Sequence, residues 1–158
     1  MRDLDGRGGL LGLGLLLGTS VRSNHNGMLH TQATFAAETM LDRMRANIPG
    51  VWGNAYDGTW DAATAPPGVA CTAAAPCNPA QVAARDVFAW GQLVSQLLPA
   101  GSGNVACVRN AAIPAPTAAM LQTVPVYNGT CTITVNWNET TEGAEGVIAQ
   151  NYVWRVQP

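Results

Sequence analysis

The chain has no lysine. Its 158 residues include eight basic ones, every one an arginine, against ten acidic ones, for a net charge of -2. With no basic cluster to displace counterions from phosphates, nucleic acid is excluded as a partner. Histidine is almost as scarce, since His25 and His30 are the only two. Five residues apart on a helix, they point about 140° apart, which suits a structural or interfacial role better than metal binding or catalysis. There is no Walker loop, no GxSxG and no dinucleotide fingerprint. Ser20, Ser23, Ser95 and Ser102 have no partner in sequence and the acids are scattered, so no convergent nucleophile, base and orienting group is expected. No enzyme, cofactor, metal site or small-molecule substrate is therefore expected. Asp57 and Asp61 in "YDGTWD" begin a calcium-loop pattern, but Ala62 and Gly68 stand where a Gly and a Glu are required.

A long hydrophobic run is missing as well. The uncharged stretch from Gly8 to Val21, centred on "GGLLGLGLLLG", has 14 positions, or about 21 Å of helix. A bilayer core needs about 30 Å. It is a poor secretory signal too, because Asp3 and Asp5 dilute Arg2 and Arg7 and no small-x-small site follows.

What is present is a body of one-domain size with four cysteines, Cys71, Cys77, Cys107 and Cys131, all after the apolar run. The spacings C-x5-C and C-x23-C are not those of zinc knuckles, so disulfides and an oxidising compartment are expected. Of the three connectivities open to four cysteines, the sequential one is preferred: Cys71 with Cys77 and Cys107 with Cys131. On the loop-entropy model these would contribute about 2 and about 3.5 kcal/mol. An apolar segment followed by oxidised cysteines is most simply anchored in a membrane with its body outside.

From Leu10 to about Asn47 there is no proline. In "QATFAAETMLDRMRAN" (Gln32–Asn47), Ala33, Ala36, Ala37, Met40, Leu41 and Met44 recur at three- and four-residue steps, one face of a helix. Arg43 and Arg45 suit its C-terminal end, and Pro49 with Gly50 should stop it. The following "PGVWGNAYDGTWDAATAPPG" reads as irregular. Its Trp52, Tyr56 and Trp60 either fold back over the core, the commoner outcome, or form an exposed binding surface. A second helix is expected from Asn78 to about Leu98, with Asn78 as N-cap, Pro79 in the first turn and Gln81 at the capping-box position. Its buried stripe is Ala83, Val87, Trp90, Val94 and Leu97. Three strands follow, near Val105–Arg109, Thr130–Trp137 and Tyr152–Val156. In the second, Cys131, Ile133, Val135 and Trp137 alternate with Thr132, Thr134 and Asn136, so one face is buried and the other wet. Residues 138–146 are expected to form a hairpin connection, and 111–125 a proline-interrupted crossover. Asn128-Gly-Thr130 and Asn138-Glu-Thr140 match the N-glycosylation pattern, which is idle without a matching transferase.

Taken in order, "GLLGLGLLLGTSVRSNHNGMLHTQATFAAETMLDRMRAN", a C-x5-C, "NPAQVAARDVFAWGQLVSQLLP" and "CTITVNW" resemble the PilV-type minor pilins of the type IV pilus, often labelled pilus modification proteins. The match runs from Gly9 to Val156. The resemblance implies an α+β, pilin-like fold: a long N-terminal helix packed on a small antiparallel sheet, plus a second helix. Residues 1–28 would be an N-terminal arm and partial hydrophobic helix, and 29–158 a head domain into which the helix continues to about 47. It further implies a class III prepilin, N-methylated after cleavage and held in the inner membrane before assembly. The subunit would then move to the pilus at the cell surface, with its head in the periplasm or outside the cell. Its partners would be other minor pilins and the major pilin, at a tip complex that primes assembly and so serves adhesion and twitching motility.

On this resemblance Leu10, Leu11, Leu13, Leu15, Leu16 and Leu17 carry anchoring and assembly, with Gly12, Gly14 and Gly18 allowing close helix approach. Trp52, Tyr56 and Trp60 are the expected exposed partner contacts. The family places a basic leader, a Gly, an aromatic residue and a segment like Thr-Leu-Ile-Glu ahead of this run, whereas "MRDLDGRG" stands here. An alternative start, a frameshift or a degenerate copy would each account for that departure. Two further readings are a pseudopilin of a type II secretion system, which shares the long helix and small head, and a soluble secreted binding module that stacks its loop tryptophans on a ligand.

Overall fold

The computed structural model describes residues 5–140 and 146–158, with side chains from His25 onward. It is an α+β fold built on one four-stranded antiparallel sheet and two principal helices. Helix α1 spans Asp5–Ala46. The face expected to be apolar is the one that packs: Ala33, Ala36, Ala37, Met40, Leu41 and Met44 are all buried, and Leu29, one turn upstream, joins them. Glu38, Asp42 and Arg45 are exposed on the other side.

Where α1 ends, the chain does not become irregular. Asn47 leaves the helical region (φ -136°, ψ 55°), and a short helix α2, Ile48–Trp52, restarts with Pro49 in its first turn. Proline there lacks only an N–H that would have had no intrahelical partner, so it starts a helix as readily as it stops one. A three-residue strand β1, Gly58–Trp60, follows inside the stretch expected to be loop. Gly58 adopts φ 144°, a backbone conformation that side-chain-bearing residues avoid, and the Trp60 ring lies over it.

Helix α3, Pro79–Leu97, begins with the expected motif. The Asn78 side chain accepts from Gln81 N–H and the Gln81 side chain accepts from Asn78 N–H, each at 2.9 Å. Ala83, Val87, Trp90 and Val94 are buried as expected, whereas Leu97 is only half-buried. Leu98 takes the core position instead, because α3 ends there in an extended conformation that rotates the next side chain inward. Trp90 is fully buried and its Nε1–H donates to Ala36 O at 2.8 Å, pinning α3 to α1. Gly103 lies under the same ring, in space that a Cβ would fill.

The remaining elements are β2 (Ser102–Arg109), a four-residue helix α4 (Ala118–Leu121), β3 (Gly129–Thr140) and β4 (Val147–Val156). Strand order is β1-β2-β3-β4 and every neighbour is antiparallel. The 110–128 segment therefore returns the chain to the adjacent strand and is not a crossover. The alternation read in β3 is present and extends to Glu139, with Cys131, Ile133, Val135, Trp137 and Glu139 buried. The hairpin connection expected over 138–146 is shorter, since β3 runs to Thr140, and residues 141–145 lie outside the described residues.

Both disulfides pair sequentially. Cys107 and Cys131 are register partners of β2 and β3, with Cα atoms 4.0 Å apart. Cys71–Cys77 closes a small exposed loop before α3, with Cα atoms 5.2 Å apart.

Candidate functional site

Helix α1 has 42 residues, about 63 Å of helix. The longest strand, β3, has 12 residues, about 40 Å. The stretch of α1 that enters the core runs from Leu29 to Met44, only about 24 Å. Helix is thus supplied well beyond what the sheet covers, and Leu10, Leu11, Leu13, Leu15, Leu16 and Leu17 belong to that upstream part. Their side chains lie outside the described residues. Among the described residues, no helix is long and apolar enough to cross a membrane.

Trp52, Tyr56 and Trp60 do not form an exposed surface. Tyr56 is fully buried, which corrects its expected role as a contact residue. Its hydroxyl donates to Asp86 Oδ2 at 2.7 Å and accepts from Asn47 Nδ2 at 3.1 Å. Arg43 Nη1 lies 3.3 Å from Asp86 Oδ1, and Asn47 Nδ2 also donates to Pro79 O at 2.8 Å. One phenol thus ties the end of α1 to α3. Burial, then the hydrogen bond to the Asp86 carboxylate, push its ionisation far above the ordinary tyrosine range, so it stays a donor. Trp52 and Trp60 are half-buried against the core. Trp52 Nε1–H donates to Pro125 O at 3.2 Å, and its ring meets Tyr127 edge-on at 5.0 Å. Trp60 Nε1–H donates to Tyr56 O at 3.2 Å. A polar tip with a partner inside the fold explains why each ring turns inward.

Asp57 and Asp61 are likewise occupied locally. Asp57 Oδ1 accepts from Cys107 N–H at 3.1 Å, and partial burial raises its carboxyl above the usual range against the pull of that N–H. Asp61 Oδ1 accepts from Ala63 N–H at 2.8 Å. Among the described residues there is no group of three or more side chains suited to hold a metal ion.

A cluster not foreseen in the sequence lies at the other end of the head. Glu139 is buried, accepts from Trp137 Nε1–H at 2.9 Å and lies 3.5 Å from His30 Nε2. The His30 ring meets Trp137 edge-on at 5.0 Å and 88°. His25 lines a cleft of about 260 Å³ that also touches Leu29, Pro99, Glu139 and Val147. Both histidines therefore flank the end of β3. Extending the β3 alternation by one step beyond Trp137 would have placed Glu139 on the inner face. These contacts fasten α1 to β3 where the upstream helix leaves the head. In comparisons with protein-family models, curated proteins and solved structures, the chain matches none.

Proposed function

We propose that the chain is a minor pilin of the type IV pilus, sitting at or near the tip and helping to prime assembly. The observation that carries this is the division of α1. Its C-terminal part is committed to a small α+β head, while the leucine-rich part upstream is surplus to that head. Such surplus helix is what a subunit needs to pack among neighbouring helices in a bilayer and then in a filament. Other minor pilins and the major pilin are the partners, and the head lies in the periplasm or outside the cell. Two disulfides in the head suit that oxidising location.

The test is to follow the protein in its own cells. A blot should find it in the membrane fraction and in sheared surface filaments, and its deletion should reduce surface pili until the wild-type chain is restored. Absence from filaments in cells that make them would overturn the proposal. Dependence on secretion genes rather than pilus genes would reassign the head to a pseudopilus.

A further inference from the structure

The two edges of the sheet are unlike. The β1 edge is three residues long, and beyond it Cys107 N–H is already taken by Asp57. The β4 edge is ten residues long and holds its register with β3 without a bulge from Val147 to Val156. Hydrogen bonds fix which way its backbone points. Asn110 N–H bonds Asn128 O at 2.9 Å, and Asn138 N–H bonds Pro99 O at 2.9 Å, whereas Cys107 N–H turns away from β3. Even-numbered β3 residues thus face β2, and odd-numbered ones from Cys131 to Glu139 face β4. In the β4 register the even-numbered residues answer them, which sends the N–H and C=O of Val147, Ala149, Asn151, Val153 and Arg155 outward. The same five residues are all exposed.

We infer that this edge pairs with the β4 of a second copy, antiparallel, about a two-fold axis at Asn151. In that register Asn151 faces its own copy, Ala149 faces Val153, and Val147 faces Arg155. Exchange of both bonds at each of these pairs gives about ten hydrogen bonds. The strand is complementary to itself: amide meets amide, aliphatic meets aliphatic, and the one charge of the row meets a valine, so no like charges oppose. Of the devices that keep edges apart, β4 has no lysine, proline or bulge and is not short, and Arg155 is the one charge in its outward row. Because the axis stands perpendicular to the sheet, it reverses α1. The pair joins heads that arrive from opposite directions, not two heads anchored side by side in one membrane. It concerns the head alone and does not depend on the pilin proposal.

The test uses the full chain in mild detergent. Directly opposed residues in this register sit about 5.5 Å apart at Cα, within disulfide reach, whereas Val153 lies about 15 Å from its own copy. Asn151→Cys should therefore oxidise to a covalent dimer and Val153→Cys alone should not. Asn151→Pro removes an N–H that the head's own sheet does not use, so circular dichroism should be unchanged while light scattering falls from dimer to monomer mass. Wild-type protein that stays monomeric across a dilution series, equal cross-linking by both cysteine variants, cross-linking by neither, or a dimer that survives Asn151→Pro would each overturn the inference.

Discussion

Two long connections in this protein behave in opposite ways. The one between α1 and α3 carries Trp52, Tyr56 and Trp60 and turns them inward. The one between β2 and β3 has no aromatic residue before Tyr127 and no charged residue from Asn110 to Asn128, yet it exposes Ile113, Met120, Val124 and Val126. Polar partners accompany burial in the first connection, whereas Tyr127 of the second is buried by packing alone, its hydroxyl unpaired among the described residues. Each ring of the first connection ends in an N–H or O–H that finds an acceptor inside the fold, so burial leaves nothing unsatisfied. The aliphatic residues of the second have no such anchor. Pro114, Pro116 and Pro125 interrupt any period that could gather them on one face.

Substitutions in the two connections should break this contrast in a graded way. Tyr56→Ala has the largest expected effect, lowering unfolding free energy by about 3–5 kcal/mol in denaturant melts, because it empties a buried site and takes one hydrogen-bond partner from each of Asp86 and Asn47. Tyr56→Phe should cost about 1–3 kcal/mol by losing the hydrogen bonds alone. It should also change the alkaline limb. The unfolded phenol ionises near about pH 10 while the folded one holds its proton, so wild-type stability is full below that pH and falls as pH rises above it. Tyr127, also raised by burial and by Asp57, contributes in the same direction, so Tyr56→Phe should flatten the fall without abolishing it.

Replacing Cys71 and Cys77 together by alanine should cost about 2 kcal/mol, read as a lower melting temperature with an otherwise native spectrum. That exposed bridge should also be reduced by dithiothreitol before the Cys107–Cys131 bridge, whose Cys131 is buried, as peptide mass mapping would show. Tyr127→Phe should be close to neutral, because its buried hydroxyl has no hydrogen-bond partner among the described residues. Val126→Ser and Ile113→Ser should each shift stability by no more than about 0.5 kcal/mol.

The same contrast explains how much was legible in the sequence. Helix α3 was readable because Asn78, Pro79 and Gln81 form a local motif that closes within one turn. The inner face of β3 was readable because a strand's period is two. The sequential cysteine pairing expected from the spacing is the one present. Strand β1 was not readable, since three residues carry no pattern and β2 alone gives them a partner. Nor was the Tyr56 cluster, because Asp86 lies 30 residues away and no local spacing announces it. Helix α2 was hidden by reading Pro49 as a stop. Glu139 lies beyond Trp137, where the sequence pattern ends the strand, because β3 runs on to Thr140.

If the helix surplus to the head packs among neighbouring pilin helices, a photo-cross-linking residue at Leu13 should join the chain covalently to a neighbouring subunit in sheared filaments. A chain that never enters filaments in cells that make them, or that enters them without cross-linking from Leu13, would contradict the pilin proposal.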